Sequence, residues 1–279
     1  MLNIEASTSE AGPFFRYVTV SPGAAVRIVL SQNYTDCQET DAALFATVLR
    51  NIARSYSNPA SSGLPFKTLV VDHPAASIAV IHLGLFNDIF GESAELFDIL
   101  KSPRCGLNLT FSALKLASAS WFSAVLPGIF SAGFPLDNIS HAHLGYLIPL
   151  DEENPRLLAE TVGLLPALSF VKVSGLIGPC LVHVAGFSHT GEDVLTPFPS
   201  LESIHFRRVP FLPCDKKPKE ILDLVDGELL QQFLMTRGAT VRRLRLEGCL
   251  YLKKADVDKL CKVVGDVVCW DEEDSTRQK

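Results

Sequence analysis

The most informative stretch of the chain is residues 241–260, VRRLRLEGCLYLKKADVDKL. Its first half alternates charged residues with leucine over residues 243–247, which is typical of a β-strand with one buried face. Its second half starts an amphipathic segment, residues 254–264, in which Val257 and Leu260 share one helical face and after which Gly265 is a helix stop. The stretch therefore predicts a short strand followed by a helix.

The strand half contains a loose frame of apolar residues that recurs along the chain. The frame spans nine residues. Positions 1, 4 and 6 are apolar in the clearest copies, and position 9 is a small residue, an apolar residue or Asn. The copies are Val241/Leu244/Leu246/Cys249, Leu201/Ile204/Phe206/Val209, Leu168/Val171/Val173/Leu176, Leu136/Ile139/His141/Leu144, Gly106/Leu109/Phe111/Leu114, Phe66/Leu69/Val71/Pro74 and Ala25/Ile28/Leu30/Asn33. Further matches at Ile81 and Val182 are either extra strands or chance. The copies lie 30 to 41 residues apart, further than the roughly 20–29 residues of regular leucine-rich repeats.

Helical segments are predicted between the frames. They cover residues 41–56 with Thr40 as N-cap, 93–101, 154–164, 218–224, 229–237 and 254–264. A single strand–helix unit cannot bury its own apolar face, so stacked neighbours must complete the core. The predicted fold is therefore α/β, an irregular leucine-rich-repeat-like solenoid with a parallel concave sheet. The rival is a doubly wound α/β domain, which is disfavoured because neither GxGxxG nor GxxxxGK[ST] occurs.

Three regions are predicted along the chain. Residues 1–64 form an N-terminal cap and the first strand–helix unit, in which strands at 17–20 and 26–30 pair as a hairpin. Residues 65–270 form the solenoid, and residues 271–279 form an acidic, disordered tail.

Composition excludes several classes of protein. A net charge of -6 argues against a general nucleic-acid binder. The seven cysteines are widely spaced and lack a CxxC pair, and the start of the chain does not resemble a signal peptide; both favour a cytoplasmic or nuclear location. Residues 116–136 carry no charge and could span a bilayer, but serine, glycine and proline interrupt them, which favours a buried helix and loop over a membrane span.

No catalytic or metal-binding pattern stands out. There is no GxSxG, and Cys249 and Cys180 are interpreted as small apolar residues in or beside strands. His141 and His143 would share one strand face, yet no further ligand lies at a tight spacing, so a core or loop histidine is favoured over a metal ligand. The chain is therefore predicted not to be an enzyme and to use neither a metal nor a cofactor.

The C-terminal part resembles a known family. Residues 241–260 are similar to the cysteine-containing leucine-rich repeat of F-box proteins, in which the strand ends in Cys and is followed by an apolar residue, an acidic residue and two helix leucines. Here these are Cys249, Leu252, Asp256, Val257 and Leu260. The tail VVGDVVCWDEED, residues 263–274, resembles the ending of fungal F-box proteins of the mushroom type, and residues 164–176 and 198–209 have the same style.

The resemblance implies a role in substrate recognition for a cullin ubiquitin ligase. In that family an N-terminal F-box binds the Skp adaptor and the repeats bind the substrate. Residues 1–64 contain no recognisable F-box, so a Skp-type adaptor and a cullin are partners only if a divergent F-box is present. The role that the resemblance implies for this chain is therefore that of the repeats, which bind the substrate.

One set of residues is a candidate binding surface. Strand side chains alternate, so the residues between the apolar frame positions point to the concave face. Towards the C-terminus this face becomes basic, with Lys172, His205, Arg207, Arg243 and Arg245. Such a cluster suits a protein partner with an acidic or phosphorylated segment. Two functions remain open: this protein-interaction module, and a compact α/β enzyme of unknown chemistry.

Overall fold

The structure, a computed structural model, describes residues 2–18, 24–31, 40–56, 65–73, 79–90, 94–101, 106–113, 126–146, 154–184, 197–212, 224–236, 240–264 and 268–270. Helices and mostly parallel strands alternate, so the predicted α/β class is confirmed. The chain divides into two compact units, Met1–His143 and Leu144–Lys279. That boundary lies within residues 65–270, the predicted solenoid. Within the described residues, no helix combines the length and apolar character needed to cross a membrane.

The first unit contains a mixed sheet. Its elements are β1 (Leu2–Ser7), α1 (Thr8–Tyr17), β2 (Ala25–Ser31), α2 (Thr40–Tyr56), β3 (Thr68–His73), β4 (Ala79–Phe86), α3 (Leu96–Lys101), β5 (Gly106–Ala113) and α4 (residues 126–131). The strand order is β1-β2-β5-β4-β3, and β4 runs antiparallel to both of its neighbours. The match at Ile81 is thus a real strand. The expected all-parallel, sequential sheet is wrong for this unit, because β2 pairs with β5 and β4 reverses direction.

The amino terminus differs from its prediction for a local reason. Ser7 and Glu10 form a reciprocal capping box, in which the Ser7 hydroxyl accepts from the Glu10 N–H and the Glu10 carboxylate accepts from the Ser7 N–H. Such a box favours a helix start. Tyr17 therefore ends helix α1 instead of starting a strand, while residues 19 and 20 lie outside the described residues. Strand β2 pairs in parallel with β1 and β5, so the predicted hairpin is wrong.

The second unit is more regular. Its elements are α5 (Asn154–Glu160), a 3-10 turn (Val162–Leu164), β7 (Phe170–Gly175), α6 (Ile177–His183), β8 (Ser203–Arg207), α7 (Gly227–Thr236), β9 (Arg243–Glu247), α8 (Lys254–Val264) and β10 (Val268–Trp270). Strands β7 to β10 are parallel neighbours in chain order, and helices α5 to α8 also contact one another in chain order. The predicted helices at 229–237 and 254–264 are confirmed, and the one at 154–164 is an α-helix to Glu160 followed by the 3-10 turn. The match at Val182 lies in α6 and was chance.

The strands of this unit begin and end in the same way. The Ser169 carbonyl accepts hydrogen bonds from the N–H groups of residues 202 and 203, and the Glu202 carbonyl accepts from those of residues 242 and 243. Each strand then reaches a residue in the left-handed region: Gly175 at φ 65°, Arg208 at φ 52° and Gly248 at φ 57°. Three copies of the apolar frame therefore share one backbone path, although they are separated by segments of unequal length.

Strand β6 (His141–Tyr146) shows where the frame was misplaced. The Lys67 carbonyl accepts from the N–H groups of Ser140 and His141, the same arrangement as at Ser169 and Glu202. By this equivalence the buried Ala142 occupies the position that the sequence assigned to Ile139. The fourth frame is thus wrong by three residues, because Leu136 and Ile139 imitate it and the small Ala142 hides it.

Candidate functional site

The five candidate residues of the second unit lie on one face of its sheet. The register places Lys172 opposite His205 and His205 opposite Arg245, while Arg207 pairs with Glu247 and Arg243 pairs with Ser203. Residues that pair across neighbouring strands lie on the same face of the sheet, and so do residues two positions apart along one strand. We call the nine residues concerned the β7–β9 face: Phe170, Lys172, Ser174, Ser203, His205, Arg207, Arg243, Arg245 and Glu247. The five candidates thus lie on one face of the sheet, while their role in binding a partner stays a prediction.

Burial differs from what the sequence suggested. Lys172 and His205 are only 3% and 1% exposed. The side chains of Arg207 and Arg245 are 18% and 33% exposed, and Arg243 is exposed. The expectation that all five lie on an open binding face is thus wrong for Lys172 and His205, which are buried, so a charge on either must be compensated.

The compensating charge comes from Glu247, a residue to which the sequence assigned no role. Its Oε2 lies 3.0 Å from His205 Nε2 and 3.3 Å from Arg245 Nη2, and its Oε1 accepts from Arg207 Nε at 3.0 Å. One carboxylate therefore orders three side chains from two strands. Cross-strand pairing of opposite charges was the signal that could have revealed this, because Arg207 and Glu247 are direct register partners.

Electrostatics make His205 a neutral member of the cluster. Burial, the largest cause, and the neighbouring Lys172 together lower the pKa of His205 to about 4, although Glu247 opposes the shift. An ionised carboxylate only accepts, so Nε2 carries the single ring proton. A second proton would sit on Nδ1, which has no hydrogen-bond partner among the described residues. For Glu247, burial raises the pKa, but His205, Arg207, Arg245 and Lys172 together lower it below its ordinary value.

Acidification is expected to destabilise this cluster. Between pH 6.5, the ordinary pKa of histidine, and about 4, the unfolded chain binds a proton at His205 that the folded chain does not. The free energy of unfolding should therefore decrease as the pH drops through this window, by up to about 1.4 kcal/mol per pH unit. The lowered pKa of Glu247 adds to this loss once the pH drops below the ordinary pKa of glutamate. Urea unfolding of the wild type and of His205→Gln at several pH values measures this. Identical pH dependence of the two proteins would contradict the assignment to His205.

Cys249 closes the turn after β9. Its Sγ lies 3.6 Å from the Phe206 carbonyl and 3.8 Å from the Glu247 carbonyl, to which the thiol donates weakly. Burial raises the pKa of the Cys249 thiol to about 12, so the nucleophilic thiolate is not formed at neutral pH. Cys249 is thus structural, as predicted, whereas Cys180 is buried within helix α6 instead of beside a strand.

The two histidines considered as metal ligands have different surroundings. His143 is fully buried, and His141 is half-buried with its Nδ1 2.9 Å from the Ser140 hydroxyl. Across the described ranges, no three His, Cys, Asp or Glu side chains converge in a way that could hold a metal ion.

Comparisons of the chain with protein-family models, with curated proteins and with solved structures give no match. The resemblance to F-box leucine-rich-repeat proteins therefore stays a prediction.

Proposed function

We propose that the chain is a protein-interaction module of the leucine-rich-repeat type, whose β7–β9 face binds an acidic or phosphorylated segment of a protein partner. The observation that carries the proposal is the charge of this face. Three arginines, Arg207, Arg243 and Arg245, stand on it with a single carboxylate among its nine residues, Glu247. Such an excess on a protein of net charge -6 favours an anionic partner.

The repeated backbone of the second unit supports the leucine-rich-repeat part of the proposal. Successive strands are parallel neighbours, start at equivalent carbonyls and end in equivalent left-handed residues. Stacking of this kind produces an extended binding surface without requiring a deep pocket. By this proposal, repeat units occupy residues 168–176, 201–209 and 241–249, each followed by a helix further along the chain.

Geometry explains how the face would present its charge. Glu247 fixes the guanidinium groups of Arg207 and Arg245, so they lose less side-chain entropy when a partner binds. Arg243 lies at the start of β9 and is exposed, which places a further guanidinium at the rim. Arginine matches the planar carboxylate and the phosphate by paired hydrogen bonds.

The resemblance adds the finer part of the proposal. A face of this kind would act as the substrate-recognition half of a cullin ubiquitin ligase, with a Skp-type adaptor as a second partner if a divergent F-box is present. We further propose that the chain is a binding protein and not an enzyme, which agrees with the protonated state of the Cys249 thiol.

The test is a quantitative affinity purification of the tagged full chain from its native cells, followed by mass spectrometry. The wild type is compared with Arg243→Ala/Arg245→Ala, and acidic or phosphorylated partners are expected to fall by about tenfold or more in the double variant. The control is Arg156→Ala/Arg242→Ala, which removes the same charge from two exposed positions off this face and should leave recovery unchanged.

The outcomes separate the parts of the proposal. Equal recovery of partners by both double variants would overturn binding through the β7–β9 face. Recovery of a Skp adaptor together with a cullin supports the ubiquitin-ligase role. Recovery of partners without either protein would remove that role and leave a recognition module that acts alone.

A further inference from the structure

A second basic site lies in the first unit, between helices α1 and α2. A cavity of about 230 Å³ there is lined by Arg16, Thr47, Arg50, Asn51 and Arg54. Arg16 comes from the last turn of α1, and the other four residues lie on one face of α2 because they are spaced by three and four positions. The cavity thus collects three guanidinium groups from two contacting helices.

The three arginines carry an electrostatic cost. Arg50 and Arg54 are like charges at positions i and i+4 of one helix, a pairing that destabilises the helix. Within the described ranges, no carboxylate forms an ion pair with Arg16, Arg50 or Arg54. Arg50 Nε donates to the Ala46 carbonyl at 3.3 Å, and the Arg16 guanidinium carbon lies 5.8 Å from the centre of the Tyr17 ring. Both partners are neutral, so neither offsets the positive charge. A bound anion would offset the repulsion.

The side chains present also define the class of anion. Guanidinium groups bind phosphate oxygens through paired hydrogen bonds, and three positive charges match a dianionic group better than a single carboxylate. Two polar residues, Thr47 and Asn51, line the same cavity. We propose that this cavity binds the phosphoryl group of a small phosphorylated compound, or free phosphate, which share this chemistry. The residues of this cavity are distinct from those of the β7–β9 face and lie far from them in the sequence.

The test is calorimetric titration of the full chain with inorganic phosphate, inorganic pyrophosphate and glycerol 3-phosphate at low ionic strength. Binding of at least one probe is expected, and it should weaken by about tenfold or more in Arg50→Ala/Arg54→Ala. Arg50→Lys/Arg54→Lys keeps the charge but loses the paired hydrogen bonds, so it should also bind more weakly than the wild type. Preference for glycerol 3-phosphate identifies an ester as the ligand, and preference for inorganic phosphate identifies the free ion.

Arg156→Ala/Arg242→Ala is the matched control, because it removes two exposed arginines from the second unit. It should bind the probes within about twofold of the wild type. The substituted arginines of α2 are exposed, so circular dichroism should show the same folded content in all variants. Absence of binding by the wild type, equal weakening in the control, or full binding by the lysine variant would each overturn the proposal.

Discussion

Replacing Glu247 with glutamine is expected to lower the free energy of unfolding by about 2 kcal/mol at pH 7. The substitution keeps the shape of the side chain but removes the charge that His205, Arg207 and Arg245 share. Buried Lys172 would then lack this nearby negative charge, which is costly in the interior. The full cost of breaking a buried ion pair is about 3–5 kcal/mol, and the partial exposure of Glu247 reduces it.

Urea unfolding followed by circular dichroism measures this effect. The control is Glu160→Gln, because Glu160 pairs with Arg156 at 2.6 Å on the surface and such pairs contribute less than about 1 kcal/mol. Equal stability of Glu247→Gln and wild type would show that the cluster does not depend on this carboxylate.

Replacing Phe206 with alanine is expected to destabilise the second unit by about 3–5 kcal/mol. The ring is fully buried on the opposite side of β8 from His205, and it packs edge-to-face against Phe211 with the ring centres 6.4 Å apart. Truncation leaves a cavity where the buried ring lay, and the loss of the edge-to-face contact with Phe211 adds to the cost.

Hydrogen exchange measured by mass spectrometry can locate the effect as well as size it. Peptides that cover β7, β8 and β9 should exchange faster in Phe206→Ala, because they share the disturbed core. Met235→Ala is a control of similar size in a helix of the same unit, and its side chain is 63% exposed, so its cost should stay within about 0.5 kcal/mol. A small cost for Phe206→Ala, similar to that of the control, would contradict the packing described.

The sequence predicted the second unit better than the first, for a physical reason. In β7, β8 and β9 the buried positions are filled by large residues such as Val171, Ile204 and Leu244, which alternate with polar ones, so the period is readable. In β6 the equivalent position is Ala142, which is too small to stand out against the neighbouring Ile139. The pairing of β2 with β5 was beyond a local pattern, since nothing within a strand records which distant strand lies beside it.

For the candidate site, the sequence predicted where the residues lie on the strands but not how deeply they are buried. The recurring apolar frame was enough to place Lys172, His205 and Arg245 at equivalent positions of three strands, which the register confirms. Their burial could not be predicted, because it depends on what packs around the row and not on the row itself. The role of Glu247 needed the register between β8 and β9, which fixes Arg207 as its direct neighbour.

Strand β10 has a consequence for self-association. It ends the strand order of the second unit, and in the described part of the chain it is only three residues long, Val268–Trp270. An outermost strand is a template on which a second chain can add its own strand, and a long flat one promotes aggregation. The three described residues of β10 offer an added strand few main-chain groups, which limits pairing with a second chain along Val268–Trp270.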